Sequence, residues 1–240
     1  MIAGILYRNP EKKVTHQDLY HLFDLTTYDK SALRIVTNKN LAIGFSPAGV
    51  KTLDDRADLW HNNNDTVTVL FSGNIFNRQE LLNGRDDAFS TGRVLFDLFQ
   101  EKKNRLFNEI NGNYILAIWN SKTQEFSLAR DHLGIEPLYY FWDNEKLVFA
   151  SSIKAILRHP EVKAKINIKA LHTYLLFNYN PGQETLISGI KKIGPGHFLK
   201  FKNDKLSVER YWYLSFKPEQ QKTEEQYAAE LLPLMRETVK

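Results

Sequence analysis

The sequence predicts an α+β fold in which two layers of antiparallel sheet are covered by helices. Three observations predict it. Short apolar runs rich in β-forming residues recur at hairpin spacing through the first two thirds of the chain. Helical periodicity interrupts them at Thr91–Lys102, where Val94, Leu95, Leu98 and Phe99 fall on one face. Hairpin signals return after Tyr179, between turns at Asn180-Pro181-Gly182 and Gly194-Pro195-Gly196.

The first strands are expected at Ile2–Tyr7, Leu33–Thr37, Leu41–Phe45 and Thr66–Ser72. A second set is expected at Tyr114–Trp119, Glu125–Ala129, Leu138–Trp142 and Lys146–Ala150, with Asp143-Asn144 as the turn of the last hairpin. His197–Phe201 and Leu206–Glu209 flank Asn203-Asp204 and read as another hairpin. Short helices are expected at Arg78–Leu82, with Asn77 as N-cap, and at Ser152–Leu157; Asn167–Leu176 is a longer one, capped by Asn167. Lys217–Lys222 is polar, contains a proline and reads as a linker. Thr223–Lys240 reads as one amphipathic helix, with Thr223 and Gln226 forming a capping box. It carries no stop signal, so further structure is expected to continue it.

Composition narrows the function. A chain of 240 residues with 42% hydrophobic and 12% aromatic content builds one large domain, with or without a small appendage. The formal charge of +4 is mild. Lys191, Lys192, Lys200, Lys202 and Lys205 gather near one hairpin but form no dense arginine-bearing stripe, so they read as solvated surface and no nucleic acid is expected as a partner. There is no cysteine, which removes disulfides, thiolate metal sites and cysteine nucleophiles together. No apolar run approaches the ~20 residues of a membrane span, and the N-terminal order of apolar run then charge is the reverse of a signal peptide. A cytoplasmic protein without membrane partners is the expectation. His159 and His197 lack a second ligand at metal spacing, and His16 and His21 are five apart, so no metal site is expected. Arg130, Asp131 and His132 read as a structural turn between strands.

From Ala129 the sequence becomes specific. ARDHLGIEPLYY, then FASSIKAIL and His159-Pro160, TLISGIKKIGPGHFLKF, and ERYW at Glu209–Trp212 resemble the N-terminal half of the asparagine synthetase family. NGNYILAIWN at Asn111–Asn120, SGNIFNRQEL at Ser72–Leu81 and IAGI at Ile2–Ile5 fit the same template in order. The resemblance implies a class II glutamine amidotransferase domain with a four-layer αββα, Ntn-hydrolase-like sandwich over residues 1–216. Residues 217–240 would then be a linker and the start of a helix leading into an ATP-pyrophosphatase synthetase domain absent from these residues. The phosphate-binding SGG loop of that second half is absent here. ATP and Mg are therefore expected only in the missing domain, with no cofactor in this chain. The expected partner is that synthetase domain, in the same or a separate chain, and a homodimer is left open.

The resemblance also implies where glutamine would be cleaved, and there the residues depart from it. The family has a cysteine and a glycine before IAG and uses the free α-amine as the base of its own nucleophile. Here Met1 precedes Ile2, and neither side chain is a nucleophile, so no catalytic residue is expected. Ser72 stands where an oxyanion asparagine is implied, Gly73 is retained, and Asn74 replaces an acid; Ser72, Gly73 and Asn74 are read as a remnant pocket. Gly44 is followed by Phe45-Ser46-Pro47 without the implied arginine. Ser90-Thr91-Gly92-Arg93 supplies no carboxylate for the glutamine amine, and Thr27-Tyr28-Asp29-Lys30 substitutes poorly for an RGPD-like segment. The leading expectation is an inactive glutaminase-like domain, degenerate as in β-lactam synthetases and lasso-peptide cyclases, serving as the structural half of an ATP-dependent amide ligase. Two alternatives stay open: a glutamine-hydrolysing asparagine synthetase whose true start lies upstream, and a stand-alone small-ligand-binding module. Tyr211 and Trp212 are expected to pack against the missing half.

Overall fold

A computed structural model describes residues 1–23, 33–46, 57–84, 86, 88–216 and 222–239. Twelve strands alternate with seven helices among them. They are β1 (Ile2–Tyr7), α1 (His16–Tyr20), β2 (Arg34–Asn38), β3 (Leu41–Phe45), β4 (Ala57–His61), β5 (Val67–Ile75), α2 (Arg78–Leu82), α3 (Thr91–Lys102), α4 (Leu106–Glu109) and β6 (Gly112–Asn120). After these come β7 (Glu125–Arg130), β8 (Tyr139–Trp142), β9 (Lys146–Ala150), α5 (Ile153–Ile156), α6 (Ile168–Phe177), β10 (Ile190–Lys192), β11 (His197–Lys202), β12 (Lys205–Arg210) and α7 (Glu224–Val239). The strands form two antiparallel six-stranded sheets, ordered β10-β8-β9-β1-β3-β2 and β12-β11-β7-β6-β5-β4.

Side-chain alternation explains the layering. In β1, Ile2 and Leu6 enter the core shared by the two sheets, while Ala3, Ile5 and Tyr7 enter a second core on the opposite face. Both parities are apolar, so the strand is buried on both sides. β5 and β6 repeat the pattern. Leu70, Ile115, Ala117 and Trp119 face the first sheet, while Val69, Phe71, Leu116 and Ile118 face α2, α3 and α4. Sheets with two apolar faces need cover outside as well as between. α1 and α5 cover one sheet and α2 to α4 the other, giving the expected αββα order.

The turn chemistry follows the residues. Asn144 at φ 71, and Asn203 and Asp204 at φ 49 and 59, take up the left-handed turns that close their hairpins. Asn167 caps α6 through the amide of Ala170, and Thr223 and Gln226 exchange both bonds of the cap at α7. Asn77 sits at the start of α2 without capping it; its side chain donates to the Glu109 carbonyl and accepts from Asn111 N–H, tying α2 to the entry of β6. No residue of α7 is buried. No helix among the described residues is long and apolar enough to cross a membrane.

One buried cation pins the β8–β9 hairpin. Lys146, 2% exposed, is held by Asp143 at 2.6 Å and by Glu161. Burial works against the Asp143 carboxylate, but the Lys146 ammonium and the N–H groups of Lys146 and Glu145 outweigh it and hold the carboxyl below its usual range. A depressed carboxylate adds stability that is complete above its unfolded pKa and is lost as pH falls through its folded pKa. Asp143→Asn is therefore expected to lower the urea midpoint at neutral pH, with the gap to the wild type closing below about pH 4. Paired urea titrations at neutral and acid pH check this.

Candidate functional site

The head of β1 lies between the ends of two neighbouring strands. The Met1 amine donates to the Ser46 carbonyl at 2.7 Å, and Ser46 N–H returns a bond to the Met1 carbonyl at 2.9 Å. On the other side Ile2 N–H donates to Ser151 Oγ at 3.2 Å, and Ser151 N–H donates to the Ile2 carbonyl. Burial lowers the pKa of the amine, and the nearby Glu136 carboxylate opposes that shift. A lowered pKa favours the unprotonated amine, the form a general base needs, but the side chains it would serve are a thioether and an alkyl group. The hydroxyls nearby belong to Ser46, whose buried Oγ has no hydrogen-bond partner among the described residues, and to Ser151, which accepts from Ile2.

Ser72, Gly73 and Asn74 lie together near the C-terminal end of β5, in the other sheet, paired with Ile115, Tyr114 and Asn113 of β6. Among the described residues no hydrogen bond joins them to the head of β1. Gly73 sits at φ +133, where a Cβ would fall 1.9 Å from the Asn113 carbonyl oxygen. Close approach of β6 thus requires a glycine there, whatever its N–H is used for. Gly44 closes the end of β3 against the Arg34 carbonyl. Pro47 and the segment Thr27–Lys30 lie outside the described residues.

At the start of α3 the structure adds a group the sequence reading missed. Ser90 Oγ accepts from Arg93 N–H, as an N-cap does. Gly92 N–H donates at 2.6 Å to Asp58 Oδ2, which reaches over from β4. A carboxylate therefore stands at this helix start after all, supplied from 34 residues upstream. It is a favourable partner for the positive end of the helix.

Arg130, Asp131 and His132 form a turn built on backbone groups. Arg130 donates to the carbonyls of Glu136 and Gly134 at 2.5 Å and of Ile193 at 2.7 Å. Asp131 accepts from the N–H groups of Leu133, Ile135 and Glu136. His132 contacts the Phe107 carbonyl and stacks on Trp212 with the ring planes 10° apart. Tyr211 donates to the Arg130 carbonyl at 2.6 Å and meets the Tyr114 hydroxyl at 3.1 Å; burial pushes the Tyr211 phenol up. Tyr211 and Trp212 are thus engaged within the domain. The aromatic and aliphatic surface beyond them, at Tyr213, Leu214 and Phe216, is exposed.

Two stacked antiparallel sheets between helical layers define an α+β sandwich, with the Met1 amine half-buried at one strand end. The chain belongs to the glutamine amidotransferase domain family, whose sequence model matches residues 17–212. Asparagine synthetase [glutamine-hydrolyzing] 3 of Bacillus subtilis is 33% identical over 157 residues, which is 62% of this chain and 25% of that protein. Asparagine synthetase [glutamine-hydrolyzing] 1 of the same organism is 28% identical over 190 residues, covering 76% of this chain and 30% of that protein. The chain therefore spans under a third of the length of these curated relatives. A solved structure described as the allosteric regulatory enzyme of purine biosynthesis shares the fold, with a TM-score of 0.50 and 17% identity over 88% of this chain and 43% of that one.

Proposed function

We propose that this chain is a glutamine amidotransferase-like domain that does not hydrolyse glutamine and serves as the structural N-terminal half of an ATP-dependent, amide-forming enzyme of the asparagine synthetase kind. The observation that carries this reading is the set of side chains where glutamine would be cleaved. The 240 residues contain no cysteine, and the head of β1 offers only a thioether and an alkyl group. Ser72 stands in place of the oxyanion asparagine implied by the resemblance, and loss of one such donor costs about 10²–10³ in rate. Phe45 and Ser46 follow Gly44, so the arginine that the resemblance implies after this glycine, to grip a substrate carboxylate, is not at that position.

The structural role is supported by what the domain leaves uncovered. α6 exposes Ile168, Leu175, Leu176 and Phe177, with Leu175 at 71%, and Phe216 is 82% exposed. An apolar stretch of this kind on one helix fits an interface better than free solvent. The relatives extend well beyond the matched region, and on this reading that remainder supplies the partner domain. ATP and Mg would bind in that part, in the cytoplasm, and adenylation of a carboxylate would take place there. The test is direct: the purified chain incubated with glutamine is expected to release glutamate no faster than buffer. Turnover above that background, abolished by removing Met1 and Ile2, would sink the proposal.

A further inference from the structure

The outer face of the second sheet carries an uncovered basic cavity. In β11 the alternation sends Leu199 and Phe201 into the inter-sheet core and leaves Phe198, Lys200 and Lys202 on the outer face. The register sets Lys200 opposite Ser127 of β7, and Ser127 opposite Ile118 of β6. Lys202 forms an ion pair with Glu125 of β7. α3 packs on β4 and β5 and ends at Lys102. Beyond its end a cavity of about 280 Å³ remains, floored by Val67, Ile118 and Ser127 and walled by Lys103, Lys200 and Lys202.

The charges in it do not balance. Three ammonium groups face one carboxylate, and that carboxylate is taken by Lys202. Lys200 is half-buried, and among the described residues neither it nor Lys103 has a carboxylate in ion-pair range. Lys103 sits at φ 52, a conformation lysine seldom adopts, with its ammonium 5.9 Å from the centre of the Phe99 ring beside the cavity. The cavity therefore holds an excess of positive charge that an anion would complement.

We propose that this cavity binds the phosphate group of a small phosphorylated molecule. Lysines are compact point charges that suit a phosphoryl group, whereas a planar carboxylate is better matched by the arginine fork, and no arginine lines the cavity. Ser127 adds a hydroxyl donor on the floor, and the volume lies just under the ~300 Å³ lower bound of drug-sized sites, room for a phosphate and a small group attached to it. The site stands apart from the glutamine reading above and does not depend on it.

Calorimetric titration of the whole chain with inorganic phosphate, and separately with pyrophosphate, at low ionic strength tests it. Saturable binding is expected, weakened by about tenfold or more in Lys200→Met. Lys163→Met removes an exposed lysine elsewhere and is expected to leave binding unchanged. Urea midpoints confirm that each variant is folded, and Lys103→Met, at the helix end, replaces Lys200→Met should the sheet position not tolerate the change. Absence of saturable heat, or equal weakening by Lys163→Met, overturns the proposal; the second result would mean an adventitious ion attracted by net charge.

Discussion

Asp131→Ala is expected to destabilise the domain by about 3–5 kcal/mol, the range seen when one member of a buried charged network is removed. Asp131 is fully buried, and its carboxylate accepts three N–H groups within the next five residues. Its own backbone reaches further, accepting from Gly134 and Gly196 and donating to the Tyr114 carbonyl. Gly196 in turn accepts from the N–H groups of Tyr211 and Trp212. One side chain therefore fixes the turn on which β6, the Gly194–Gly196 turn and the Tyr211–Trp212 segment converge. Removing it leaves three donors without their acceptor and takes from the Arg130 guanidinium one of its two acidic neighbours, Glu136 being the other, although water can reach the exposed side of Leu133 and Ile135. Asp131→Asn keeps one acceptor and should lose less. Set against a total of about 5–15 kcal/mol, the alanine variant gives up a large share of the folding free energy. Urea denaturation at neutral pH measures both variants, and a loss under about 1 kcal/mol for alanine would show that the carboxylate is not the organiser described here.

How much of this was readable beforehand depended on the range of the interactions. The Arg130–His132 turn was legible because the partners of the Asp131 carboxylate lie within five residues of it. The two-sheet plan was legible because β1, β5 and β6 are apolar at both parities, a local pattern. β4 was not: Ala57–His61 mixes an acid with apolar residues, and its strand character comes from pairing with β5. Asp58 was missed at the start of α3 for the same reason, since its contact with Gly92 is set by that pairing and not by any spacing in the sequence. α1 was within reach, because Thr15 and Asp18 form a capping box that the sequence displays, although its five residues are too few for periodicity to show. At the candidate site the residue identities could be read from the sequence, but the placement of β1 in one sheet and Ser72–Asn74 in the other is a property of the stacked sheets.

Gly73→Ala is expected to be nearly as damaging as the loss of Asp131, and it separates two meanings of the same glycine. A Cβ at this position would lie 1.9 Å from the Asn113 carbonyl oxygen and 2.7 Å from the Tyr114 Cα, both backbone atoms of β6 that cannot move without opening the ladder. The φ of +133 adds strain that no other residue relieves. Overpacking costs about 1–3 kcal/mol and the backbone conformation a similar amount, so a loss of about 3–5 kcal/mol is the expected result. Gly84→Ala supplies the control, since Gly84 also has positive φ, at +82, but nothing among the described residues lies within 4 Å of its would-be Cβ. That variant should lose only about 1 kcal/mol, the conformational part alone. The difference between the two, read from urea midpoints, measures the close approach of β6. If Gly73→Ala folds as stably as Gly84→Ala, the glycine is not required by packing, and a role for its N–H in binding becomes the better account. If the difference appears, the glycine between Ser72 and Asn74 is explained by the sheet itself and carries no evidence of chemistry there.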